Sequence, residues 1–132
     1  MSIFVNQTFQ IELKFTYVLN KEKKVTGVKI LAPDAQGESV YTITCDAVGK
    51  DFDTMSQILE DATVINHITG KPIVRNRVLC RLIILRFLKN FKDGDQNDIA
   101  VTNENIGKIH YEIIRALARS WLNKTSGKVD RE

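Results

Sequence analysis

Four oxygen-bearing side chains have the spacing of a calcium-binding loop within residues 93–104, DGDQNDIAVTNE. Asp93, Asp95, Asn97 and Glu104 stand at positions 1, 3, 5 and 12, where an EF-hand loop carries its ligands. Helical patterns on both sides of the window add to this resemblance in spacing. If the window folds as such a loop, its chemistry would be the binding of a divalent cation.

The same window lacks two features that an EF-hand needs. Asp98 stands at position 6, where the sharp turn favours glycine, and Val101 at position 9 has no side-chain oxygen. The window also occurs only once, whereas EF-hands normally pair. Asp and Asn are typical of turns and helix caps. We therefore expect a solvated connection between two helices and no metal site.

The remaining candidates for chemistry are four scattered cysteine and histidine residues, Cys45, His67, Cys80 and His110. No two of them have the close spacing that places two zinc ligands on one turn. Both cysteines have apolar neighbours, which predicts buried thiols of raised pKa that are poor nucleophiles. No Gly-x-Ser-x-Gly or phosphate-loop motif is present. The sequence thus predicts no catalytic residue, no cofactor and no enzymatic activity.

Composition fits one domain of ordinary hydrophobicity. The chain has 132 residues, of which 43% are hydrophobic and 27% charged, and its formal net charge is +3. The N-terminus has no secretory signal pattern, and the longest apolar run, residues 78–88, is too short to span a bilayer. We expect a soluble cytoplasmic protein with reduced cysteines and no membrane partner.

Three segments in the first half have the patterns of β-strands. Residues 9–19 alternate between apolar and polar side chains, which predicts one buried and one wet face. Residues 25–31 and 40–45 are rich in β-branched residues. Short reversals at 20–24 and 32–39 separate the three segments. The prediction is a three-stranded antiparallel meander.

Three segments in the second half have helical spacing. The first covers residues 51–70, with Phe52, Met55, Leu59 and Ala62 as its apolar stripe; the others cover 74–91 and 103–123. Asp51 or Asp53 can cap the first helix, and Thr102 can cap the third. On the third, the core stripe is Ile106, Ile109, Ile113, Leu117 and Trp121, and the wet face is Lys108, Glu112, Arg115 and Arg119. The predicted fold class is α+β, with three helices packed on one sheet face. Residues 1–123 form the single domain, and residues 124–132 form a polar, disordered tail.

Charge is distributed unevenly along the chain. Residues 71–92 contain seven basic residues and no acidic one, whereas residues 46–61 contain five acidic residues and one lysine. Two interpretations compete. The acidic first helix neutralises the basic second helix, or a basic surface formed by Lys21, Lys23, Lys24 and Arg86 contacts nucleic-acid phosphates. We favour neutralisation, because the net charge is low for a dedicated nucleic-acid binder.

The second helix carries the main functional prediction. Its apolar residues leave no continuous polar stripe, so it is either central in the domain or covered by a partner. In the second case Ile84 and Leu88 form an open apolar face with Arg77 and Arg81 at its rim, as a partner surface would. We therefore expect a protein–protein interaction module, namely a subunit, adaptor, inhibitor or assembly factor. Its partner is another protein chain or a second copy, and the alternative is a weak, sequence-independent nucleic-acid-binding accessory protein.

Overall fold

The computed structural model describes residues 8–94 and 97–125, which form two antiparallel sheets and four helices. The main sheet consists of β1 (Thr8–Leu19), β2 (Val25–Ile30), β3 (Tyr41–Val48), β6 (Leu88–Lys92) and β7 (Asp98–Ala100). A separate two-stranded sheet consists of β4 (Thr63–Ile65) and β5 (Pro72–Val74). The helices are α1 (Phe52–Ala62), α2 (Asn76–Phe87), α3 (Asn103–Gly107) and α4 (Tyr111–Thr125). The α+β class with an antiparallel sheet is confirmed.

The order of the main sheet, β2-β1-β3-β6-β7, corrects the predicted meander. In a meander β3 would pair with β2, but here β3 pairs with β1 from Thr8 to Phe15. Because β1 is 12 residues long, its second half also pairs with β2 on the opposite edge. The first three strands are thus arranged around a central β1, and β6 and β7 extend the sheet beyond β3.

The predicted alternation of β1 is confirmed over most of its length. Ile11 lies beside Cys45 of β3, and Cys45 lies beside Phe91 of β6; all three are fully buried. The opposite face carries polar residues, such as Glu12 beside Thr44. The alternation fails at the end of β1, where the register with β2 shifts between Val18 and Leu19.

The first predicted helix is too long, because α1 ends at Ala62 and residues 63–65 form β4. Asp51 caps the start of α1 as expected, and its carboxylate accepts hydrogen bonds from the backbone N–H groups of Asp53 and Thr54. The run Thr63–Ile65 is β-branched throughout and favours a strand. Residues 63–74 therefore leave the helix as a hairpin.

The second predicted helix, residues 74–91, is wrong at its C-terminal end. The α-helix ends at Phe87, and Leu88–Lys92 form strand β6, which pairs with β3. The local helical spacing is overridden because these residues complete the main sheet. Phe91 is buried as part of the sheet, beside Cys45, and not as part of a helix.

The third predicted helix is divided into α3 and α4. Thr102 caps α3 as predicted, since its hydroxyl accepts a hydrogen bond from the backbone N–H of Asn105. His110 begins α4 by accepting a hydrogen bond at Nδ1 from the backbone N–H of Glu112. Since α4 extends to Thr125, the first two residues of the predicted tail are helical, and residues 126–132 lie outside the described residues.

The core lies between one face of the main sheet and the helices. The predicted stripe along α3 and α4 is confirmed, with Leu117 and Trp121 fully buried. The Trp121 ring stacks on Phe87 of α2 at a centroid distance of 4.2 Å, and its Nε1 donates a hydrogen bond of 2.7 Å to the carbonyl oxygen of Val48. None of the helices in the described part of the chain is both long and apolar enough to span a membrane.

Candidate functional site

The apolar face predicted on the second helix is not open. Ile84 is 0% exposed and Leu88 is 3% exposed, so the expectation of an accessible patch at these two residues is wrong. The physical reason is that α2 is the central helix: α1 and α4 both pack against it. Leu88 belongs to β6 and faces the same core.

The two arginines predicted to rim that face are engaged within the domain. The Arg77 guanidinium lies 4.5 Å from the centre of the Tyr111 ring, a cation–π contact that joins α2 to α4. Arg81 Nη2 donates a hydrogen bond of 3.3 Å to the carbonyl oxygen of Asn103 at the start of α3. Both side chains hold neighbouring elements in place, and a role in partner binding stays a prediction for them.

The basic residues predicted to contact nucleic acid are exposed but belong to distant elements. The β1–β2 turn contains Lys21, Lys23 and Lys24. Within it, Lys24 Nζ lies 3.8 Å from Glu22 Oε2. Arg86 lies on α2, which packs on β6. The lysine turn leads into β2, and strands β1 and β3 separate β2 from β6 in the sheet. The four residues therefore do not form one patch on the sheet.

The calcium-like window is a strand connection and not the expected connection between two helices, because it joins β6 to β7 and continues into α3. The Asp93 carboxylate accepts hydrogen bonds from the backbone N–H and the side-chain amide of Asn97. Glu104 lies on α3 and pairs with Lys108 at 3.6 Å. Asp95 lies outside the described residues. Within residues 8–94 and 97–125, no three His, Cys, Asp or Glu residues are grouped as a metal site requires.

The two thiols lie in different surroundings. Cys45 is fully buried as predicted, and burial raises its pKa to about 12, with the charge of Asp46 adding to the effect. Cys80 is only half-buried, and burial also raises its pKa, against the opposing effects of a hydrogen bond with Tyr111 and of the Arg115 and Arg119 charges. A thiol of raised pKa is a poor nucleophile at neutral pH.

The most exposed apolar feature is the hairpin of residues 63–74, here called the hairpin arm. Its strand register places Val64 beside Ile73 on one face, and Ile65 beside Pro72 on the other. Ile68, at the tip, is 95% exposed. Exposed apolar residues thus occupy both faces and the tip of the arm, and none of them belongs to the buried core.

Hydrogen bonds at both ends give the arm a defined conformation. At the tip, the side-chain oxygen of Asn66 accepts hydrogen bonds from the backbone N–H groups of Ile68 and Thr69, and Gly70 has a positive φ of 72°. At the base, Arg75 Nη2 donates a hydrogen bond of 2.7 Å to the carbonyl oxygen of Asp61. The arm is therefore an ordered hairpin on the surface of the domain.

A groove between α2 and α4 is the second candidate surface, here called the α2–α4 groove. Its cavity is about 350 Å³, and its apolar lining includes Leu79, Ile83 and Leu122. Arg115 and Arg119 of α4 line it as well, and both side chains are exposed. The groove therefore combines an apolar floor with two guanidinium groups, which favours a ligand that is apolar and acidic.

The outer side of α1 carries exposed apolar and acidic residues, whereas the α2–α4 groove is apolar and basic. Phe52 is 67% exposed and Leu59 is 42% exposed, so two residues of the predicted core stripe of this helix are at the surface instead. Ile58 replaces them in the core, together with Ala62. Asp53 and Glu60 lie about 100° further round the helix, next to this side, and both are exposed. We call Phe52, Asp53, Leu59 and Glu60 the α1 face.

Comparison of the chain with family models, with curated proteins and with solved structures finds no match. The interpretation of the hairpin arm and of the α2–α4 groove therefore depends on their own chemistry.

Sequence reasoning missed both surfaces. The helical prediction covers residues 63–70 and residue 74 of the arm, although Thr63–Ile65 and Ile73–Val74 are β-branched runs on either side of a turn with Asn66 and Gly70, which is a hairpin signal. Arg115 and Arg119 were placed on the wet face of a helix, which is where they lie. Their position beside an apolar groove depends on how α2 packs against α4, and the sequence has no local signal for it.

Proposed function

We propose that this protein is a non-enzymatic interaction module, a subunit or adaptor that binds another protein chain through the hairpin arm. The observation that supports this is the exposure of apolar side chains on both faces and at the tip of residues 63–74. A two-stranded hairpin without cover is at best marginally stable in water. An apolar element that stands outside the core is typical of a surface that a partner covers.

Covering the arm supplies part of the free energy of binding. Val64, Ile68 and Ile73 are between 39% and 95% exposed. Full burial of a wholly exposed side chain of this kind contributes about 1.5–3 kcal/mol. Since Val64 and Ile73 are already more than half covered, the three side chains together offer about 3–5 kcal/mol before the cost of association. Because the turn at Asn66 already fixes the tip, little conformational entropy is lost when the arm is buried.

The test compares the wild-type chain with the variant Val64→Thr/Ile68→Ser/Ile73→Thr. Threonine preserves the strand preference of the two paired positions. We expect the wild-type chain to retain a host protein in affinity purification at high salt. The variant should lose that association with its thermal unfolding unchanged.

The matched control is Val25→Thr, which changes a residue that is 52% exposed at the far end of the main sheet. It should associate as the wild type does. Association that is lost equally in Val25→Thr would indicate nonspecific association of exposed apolar residues and contradict a role specific to the arm. Equal association by the wild-type chain and the arm variant would contradict the proposal directly.

A second candidate function is weak, sequence-independent binding of nucleic acid by the β1–β2 turn. Its support is the exposure of Lys21, Lys23 and Lys24 on one turn that Asn20 holds through hydrogen bonds to the backbone N–H groups of Glu22 and Lys24. Replacing the three lysines with glutamate should weaken binding equally for all sequences, since phosphate contacts carry no base information. Binding that survives high salt would contradict this candidate.

A further inference from the structure

The acidic and basic segments of the chain do not neutralise each other by direct pairing. Within the described ranges, the ion pairs join Lys24 to Glu22, Lys108 to Glu104 and Arg115 to Glu112. None of them joins α1 to α2, although the two helices pack together. The internal neutralisation favoured from the sequence therefore does not take the form of ion pairs between these helices. The acidic residues of α1 are left facing outward.

The α2–α4 groove presents positive charge beside an apolar floor. Arg115 and Arg119 are one turn apart on α4 and line the same cavity as Leu79 and Leu122. Among the described residues, these two arginines form one ion pair, in which Glu112 Oε2 lies 3.9 Å from Arg115 Nη1. Since both of those side chains are about half exposed, that pair is weak and water competes for it. Arg119 forms no ion pair with any of the described residues, so its guanidinium group can contact an acidic ligand.

The α1 face has the complementary chemistry. Phe52 and Leu59 are seven residues apart, two turns of helix, and therefore share one side. Asp53 and Glu60 follow them by one residue each and have the same two-turn spacing. The face thus repeats an apolar residue and an adjacent carboxylate along its length. An aromatic ring suits an apolar cavity of about 350 Å³, and the carboxylates suit guanidinium groups.

The α1 face cannot occupy the groove of its own chain. Ile58 and Ala62 hold the inner side of α1 in the core, so Phe52 and Leu59 lie on the outside of the same helix. The groove lies between α2 and α4, and α1 is not part of its lining. The complementary surfaces must therefore meet between molecules.

We propose that the α2–α4 groove binds the α1 face of a second copy of this chain, with Phe52 in the cavity and its flanking carboxylates against Arg115 and Arg119. The two surfaces differ, so the contact is heterologous: each copy contributes its α1 face to one neighbour and its groove to another. Such contacts build a ring if the rotation closes and a filament if it does not. This contact is independent of the hairpin arm.

The test uses two variants in the Val64→Thr/Ile68→Ser/Ile73→Thr background, which disables the hairpin arm and separates this contact from the proposed function. The first, Phe52→Ser/Leu59→Ser, loses the apolar residues of the α1 face. The second, Arg115→Glu/Arg119→Glu, loses the charges of the groove. All four positions are exposed, so circular dichroism should show unchanged folding.

Sedimentation velocity at high micromolar concentration should show oligomers for the background chain and monomers for each variant alone. An equimolar mixture of the two variants retains one intact groove and one intact α1 face. It should therefore form a heterodimer that grows no further, which a contact between identical surfaces would not produce. A background chain that stays monomeric, or a mixture that stays monomeric, would overturn the proposal.

Charge reversal gives a second, independent check. The quadruple variant Asp53→Lys/Glu60→Lys/Arg115→Glu/Arg119→Glu exchanges the signs of the two surfaces and should regain the association that Arg115→Glu/Arg119→Glu loses. The control Lys29→Glu/Lys89→Glu makes the same change in net charge as Arg115→Glu/Arg119→Glu, but on exposed strand positions, and should associate as the background does. Raising the salt tenfold should weaken the contact by roughly tenfold or more. Failure of the rescue would show that the charges do not meet, and would overturn the assignment.

Discussion

Trp121 joins three parts of the core, and the conservative change Trp121→Phe should cost a measurable share of stability. Its ring is fully buried, stacks on Phe87 of α2, and donates a hydrogen bond to the carbonyl oxygen of Val48 at the end of β3. Phenylalanine preserves an aromatic ring for the stack. It removes the N–H donor and leaves a gap where the larger indole was.

The expected magnitude follows from these two losses. A partly buried carbonyl without its partner costs about 1–3 kcal/mol. The smaller ring leaves a void of roughly 40 Å³, which at about 24 cal/mol per Å³ costs about 1 kcal/mol more. The free energy of unfolding should therefore fall by about 2–4 kcal/mol. For a chain of this length that corresponds to a drop in the unfolding temperature of roughly 8–16 °C.

The assay is urea unfolding followed by circular dichroism, because Trp121 is the single tryptophan of the chain and its fluorescence disappears with the substitution. The control is Phe52→Leu at a position that is 67% exposed, where the change should stay within about 0.5 kcal/mol. A loss below about 0.5 kcal/mol for Trp121→Phe would refute the reasoning, since the indole could then be neither enclosed nor hydrogen-bonded as the structure has it.

Three further outcomes are expected. Ile84→Asp should unfold the chain, seen as lost NMR dispersion, because it buries an unpaired carboxylate, whereas Ile84→Val should cost only about 0.5–1.5 kcal/mol. Burial raises the pKa of Cys45 to about 12, above the roughly 8.5 of an unfolded thiol. Between these pH values the folded state keeps a proton that the unfolded state loses, so the free energy of unfolding should decrease as pH rises. The decrease should be less steep in Cys45→Ala. Millimolar calcium should leave the unfolding temperature unchanged; a rise that Glu104→Gln abolishes would show that residues 93–104 bind the ion.

The features that the sequence predicted correctly are those with a local cause. The alternation of β1 records which side chains face the core, and the caps at Asp51 and Thr102 act within three residues of themselves. The stripe ending at Trp121 follows helical spacing along α4. In each case the segment carries the whole pattern, so no knowledge of its neighbours is needed.

The features that the sequence did not predict depend on distant partners. Residues 88–92 continue the apolar spacing of α2, but they pair with β3, more than 40 residues earlier in the chain. Phe52 and Leu59 are exposed because the side of α1 that carries Ile58 faces the core. Which side faces the core depends on how the helix packs. The candidate surfaces were misplaced for the same reason: Ile84 is buried because α2 is central, a property of the packing and not of the helix.

The pairing of β3 with β6 has a consequence for how the chain folds. Asp46 and Asn90 are neighbours in the sheet, and Asn90 Oδ1 accepts a hydrogen bond from the Asp46 backbone N–H, so the intervening chain must close as a long loop before this edge forms. Loop closure of that length carries an entropic cost that short hairpins such as β1–β2 avoid. The rate of folding should therefore be limited by the pairing of β6 with β3, with β6 and β7 joining the sheet late. Until then β3 has a free edge, and the newly made chain is most exposed to aggregation during that interval.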